Sequence, residues 1–102
     1  MTNAILALAG DGAKLVAHAD TPWASVTFSG ERHTLTLLFE GDDAILCGEA
    51  LLAELPTLEL AFARQMLVEA KSIWTRRQLG ESPRLDMQIE ILLLDRAVET
   101  AA

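Results

Sequence analysis

Two hydrophobic periods alternate along this chain, and they predict its elements. Near the start, Ile5, Leu8, Gly12, Leu15, Val16 and Ala19 recur at three- and four-residue steps. That spacing marks one face of a helix over roughly residues 3–18. Gly10-Asp11-Gly12 opposes it, because an interior glycine costs about 1 kcal/mol relative to alanine and the same tripeptide can turn a hairpin. Pro22 closes the segment. From residue 24 the period becomes two. In ASVTFSGERHTLTLLF, residues 24–39, Gly30-Glu31 reads as a two-residue type II′ turn with glycine at its first central position. On that register Phe28 faces His33, Val26 faces Leu35 and Ala24 faces Leu37, with Phe39 continuing the apolar side.

The helical period returns after Gly41. Asp42 or Asp43 supplies a capping carboxylate, and Ala44, Gly48, Leu51 and Leu55 form a stripe flanked by Ile45 and Leu52. Pro56 ends this helix, since the residue before proline avoids the α region. The last run, RLDMQIEILLLD, alternates again, with Leu85, Met87, Ile89, Ile91 and Leu93 on one face.

That strand needs a neighbour, and residues 57–79 admit two readings. As a helix, Leu58, Phe62, Met66, Ala70 and Ile73 line one face, with Gly80 as the C-terminal cap. As a strand, Met66, Val68, Ala70, Ser72 and Trp74 alternate with Leu67, Glu69, Lys71 and Ile73. RRQLGESPR, with Gly80 and Pro83, turns naturally between two strands, which favours the second reading. It places Lys71 opposite Glu90, and Leu67 opposite Leu94 on the outer face. The expected order is helix, hairpin, helix, hairpin (α-β-β-α-β-β). It predicts a two-layer α+β domain with a four-stranded antiparallel sheet; a helical 57–79 would leave three strands.

Length narrows the picture little: 102 residues predict a single domain spanning 1–102, with 51% apolar residues to fill its core. Charge narrows it more. A net charge of −7 repels phosphate backbones and anionic lipid, so neither nucleic acid nor membrane is an expected partner. No apolar run approaches the ~18 residues of a membrane span, and the first residues lack the pattern of a secretory leader. One cysteine, Cys47, cannot form an internal disulfide, and a cytoplasmic location is the expectation.

Candidate chemistry is sparse. His33 falls on the rim of the core beside Phe28, and His18 near the end of the first helix. Cys47 lies on or near the buried stripe of the second helix, where a thiol acts as a small apolar group. No pair of histidines or cysteines has ligand spacing, and Asp42-Asp43 lacks the later oxygens of a calcium loop. The expectation is therefore no catalytic residue, no metal and no cofactor. The candidate ligand-binding residues are His33, Trp23, Trp74, Arg76, Arg77 and Arg84. The arginines flank the second hairpin loop and have the chemistry to clamp an anion. The tryptophans are expected to anchor the core at strand ends. Leu38, Leu67, Ile73, Leu92 and Leu94 all project to the nominally polar side of the sheet, a pattern that marks a partner surface and predicts a homodimer. The leading expectation is a small acidic domain that acts by self-association or protein–protein interaction rather than as an enzyme. The alternative is a small-molecule binding protein or minor enzyme with a pocket between helices and sheet.

Overall fold

The computed structural model describes residues 1–60 and 64–95. Its elements are α1 (Thr2–Ala9), β1 (Ala13–Ala24), β2 (Ser29–Glu40), α2 (Asp42–Glu54), a 3-10 turn (Leu55–Thr57), β3 (Gln65–Gln78) and β4 (Arg84–Asp95). This is the α-β-β-α-β-β order that the hydrophobic periods predict. The strands form one antiparallel sheet in the order β1-β2-β4-β3. The second hairpin exists, so residues 65–78 are strand; Phe62, which the helical reading used, lies outside the described residues.

The inner face of the sheet makes the core. Leu35, Leu37 and Phe39 on β2 and Leu85, Met87, Ile89, Ile91 and Leu93 on β4 are fully buried. Ile5 and Ala9 of α1, Leu51 of α2 and Leu55 cover them, with Ala44, Ile45 and Leu52 packed alongside as the stripe requires. Gly48 lets α2 approach the sheet: a methyl group there would meet Phe39 and Leu85 at 3.0 Å. Pro56 opens the 3-10 turn that ends the helix. The cap differs from expectation. Gly41, at φ 92°, precedes α2, and Asp42 and Asp43 lie in its first turn without a capping hydrogen bond. They still face the positive end of the helix dipole.

The first third departs most from the sequence reading. α1 stops at Ala9 because Gly10 adopts φ 90°, and residues 13–24 continue as β1, not as helix. Leu15, Val16 and Ala19 therefore share no helical face. His18 leaves its expected helix end and sits in mid-strand opposite Leu35. The hairpin turn moves too. Ser25–Phe28 makes it, with Ser25 N–H donating to Phe28 O at 2.7 Å and Phe28 N–H donating to the Ser25 hydroxyl at 3.1 Å. Gly30-Glu31 is strand instead, and Gly30 lacks the positive φ that a type II′ turn demands. Its glycine answers a different need: a Cβ at Gly30 would lie 1.9 Å from the Leu93 carbonyl oxygen.

Candidate functional site

β1 and β2 bring together residues that lie far apart in sequence. His33 pairs with Asp20, not Phe28, and His18 lies two residues before Asp20 on the same inward row. Glu31 precedes His33 on β2 by the same step. The result is a cluster of two imidazoles and two carboxylates on the inner face. His33 Nδ1 and His18 Nε2 are hydrogen-bonded at 2.8 Å, and the rings stack with centroids 5.1 Å apart. On its other side His33 Nε2 lies 3.3 Å from Glu31 Oε2. Asp20, Glu31 and His33 each present one ligand atom within 4.8 Å of the others.

His33 is nearly enclosed, at 8% exposure, whereas Asp20 is exposed and Glu31 half-buried. Burial pushes the His33 imidazole below its usual pKa range; Glu31 and Asp20 oppose this, while His18 and the chain's amino group add to it. A neutral ring with a free nitrogen lone pair is the form favoured near neutral pH. Glu31 is held from its other oxygen, since Gln65 Nε2 donates to Glu31 Oε1 at 3.2 Å and to Asp95 Oδ1 at 2.9 Å. Ser29 also donates to Asp95, at 2.9 Å. An open cleft of about 500 Å³ adjoins the cluster, lined by Asp20, Pro22, Trp23, Glu31 and Asp95 among others.

The other expected ligand residues do not converge there. Trp23 lines the cleft, but Trp74 stands 38% exposed on the outer side opposite Gln88, so neither tryptophan anchors the core. Arg76 lies over the Trp74 ring at 5.9 Å. Arg77 points to the inner side and grips Glu49 of α2 with two hydrogen bonds of 2.7 Å. Arg84 pairs with Asp86 at 2.9 Å. The three arginines thus form separate ion pairs or stacks rather than one anion clamp. Cys47 is exposed, not buried in the α2 stripe; its sulfur lies beside Gly10, which joins α1 to β1.

The outer face holds most of the expected interface leucines. Leu38, Leu92 and Leu94 are half-buried in its middle strands. Leu67 is not with them. It pairs with Leu93 and packs against the core, while Met66 takes the position opposite Leu94. A bulge at Val68 then shifts the register, so that Lys71 still reaches Glu90 as expected. Ile73 occupies a second bulge and is 48% exposed. Across the far end of the sheet, one row reads Trp23, Gly30, Leu94, Met66. Beyond it lies a web of paired charges, with Arg32 2.6 Å and Lys71 3.5 Å from Glu90.

No protein-family model matches the chain, and no curated protein does. Among solved structures, a chain of the virion of a native gene transfer agent particle is similar to it. The TM-score is 0.62 and the identity 17%, and the match covers 80% of this chain and 67% of that one. At that identity the likeness establishes a common fold. No helix among the described residues is long and apolar enough to cross a membrane.

Proposed function

We propose that this chain is a structural subunit that self-associates through the outer face of its sheet, with a homodimer as the smallest assembly. The observation that carries the proposal is how charge divides between the two sides. Strand alternation places Lys14, Arg32, Lys71, Arg76 and Arg84 on the outer face, against Glu40, Glu69, Asp86 and Glu90. That face is nearly neutral, although the chain as a whole carries −7. The acidic excess lies on the helix side and in the loops. Two copies meeting face to face would hold their acidic sides apart and bring together neutral surfaces with apolar rows.

Size supports the same reading. Strands of about twelve residues at ~3.3 Å each, four abreast at ~4.8 Å, project roughly 750 Å². A standard interface takes about 800 Å² from each partner. The edges support it as well. β1 carries Pro22 and a bulge at Val16, and β3 carries two bulges, devices that blunt edge-to-edge pairing and leave the face as the docking surface. A similar fold in a virion chain agrees with a protein that works as one subunit among several.

Sedimentation equilibrium across salt concentrations tests this reading. Burial of apolar area between neutral faces predicts association that persists or strengthens from about 50 to 500 mM salt, as screening relieves repulsion between the acidic sides. Dissociation with rising salt would mean that ion pairs, rather than buried apolar area, hold the subunits, and would overturn this reading.

A further inference from the structure

We infer that Asp20, Glu31 and His33 form a binding site for a divalent transition-metal ion of the zinc class, with His18 as the residue that orients His33. The ligand chemistry is one imidazole nitrogen and two carboxylate oxygens, a set suited to zinc, with a fourth position open to the adjoining cleft. The geometry is close to assembled. His33 Nε2 and Glu31 Oε2 stand 3.3 Å apart. Two ligands on a tetrahedral zinc with bonds of about 2.0 Å are separated by about 3.3 Å. The third ligand, Asp20, is exposed and free to rotate inward from within 4.8 Å.

Both inner ligands also have the outer partners that metal ligands require. A metal-bound imidazole donates its remaining N–H to an acceptor, which fixes its tautomer and plane. The 2.8 Å contact to His18 Nε2 meets that need when His33 carries its proton on Nδ1, leaving Nε2 free for the metal. His18 then holds its own proton on Nδ1, so both rings remain neutral. Glu31 uses Oε2 toward the metal while Oε1 accepts from Gln65. Neither partner is visible in the sequence, because both come from other strands.

The probe is zinc chloride added to chelator-treated full-length protein, followed by isothermal titration calorimetry and by NMR of the histidine side chains. Saturable one-to-one uptake is expected, with the metal on Nε2 of His33. Asp20→Asn and Glu31→Gln should each weaken binding at least tenfold, and His18→Phe, which keeps a ring but removes the acceptor, by about 10–100-fold. Asp43→Asn alters an exposed carboxylate in the first turn of α2, outside the cluster and its cleft, and should leave affinity unchanged. Asp20 and Glu31 are not buried, so these variants should stay folded, as circular dichroism would verify. Two results overturn the site. One is no saturable uptake at about 1 mM zinc, a concentration that half-fills even a millimolar site. The other is unchanged affinity in a folded Asp20→Asn/Glu31→Gln double variant.

Discussion

At Gly30 the backbones of β2 and β4 approach so closely that a methyl group would strike the Leu93 carbonyl oxygen. Gly30→Ala should therefore destabilise the fold by about 3 kcal/mol or more in urea melts, as overpacking of a rigid backbone contact does. A loss below about 1 kcal/mol would mean that the strands part easily there. His33 was legible as an inward-facing rim residue. Its partner was not, because the three- and four-residue spacing of Leu15, Val16 and Ala19 imitates a helix and hides the strand that carries His18 and Asp20. Asp95 gives a titration test at the same end of the sheet. Hydrogen bonds from Gln65, then Ser29, favour its ionised form and hold its carboxyl below the ordinary range. A lowered carboxyl contributes stability that is present above its unfolded pKa and lost as pH falls through the folded one. NMR should find Asp95 titrating below 3.8, and Gln65→Ala should move it back up toward that value.

Among the elements, α2 and β4 were readable because each buries one clean stripe. Leu51→Ala should cost about 2–5 kcal/mol, since Leu51 is 1% exposed against the sheet. Glu49 looks like a solvent-facing position in sequence, yet Arg77 reaches it from β3. Both groups remain partly exposed, so Glu49→Ala should cost no more than about 1 kcal/mol. Equal losses from the two variants would mean that α2 rests on its other face. β3 was only half readable. Its existence follows from the need of β4 for a neighbour, but alternation alone cannot reveal bulges at Val68 and Ile73. One extra residue carried Leu67 from the expected outer face to the core side. Amide hydrogen exchange checks how these strands are used. β2 and β4 should exchange slowest, while the outward amides of β1 and β3 exchange fast even when the protein is associated. Protection along β1 or β3 on association would indicate pairing through sheet edges instead.

At the scale of the whole molecule, the fold was foreseeable in outline because hydrophobic period survives local errors. A hairpin whose turn is displaced from Gly30-Glu31 to Ser25–Phe28 still yields two antiparallel strands. Surface charge was not foreseeable, since a net value of −7 says nothing about its division between two sides of a sheet. In the proposed dimer that division would hold the acidic sides apart while the nearly neutral faces meet. Leu92 lies on the outer face of central strand β4, beside the row that contains Leu94 and Met66. Leu92→Lys adds a strongly hydrated charge there without touching the buried inner row. Sedimentation equilibrium of the native chain and of Leu92→Lys, at about 100 µM and with circular dichroism to verify folding, decides whether the outer face joins the subunits. The native chain should be heavier than one subunit, and the folded variant should have the mass of a monomer. A monomeric native chain, or a folded variant that keeps the native assembly, would rule out association through this face.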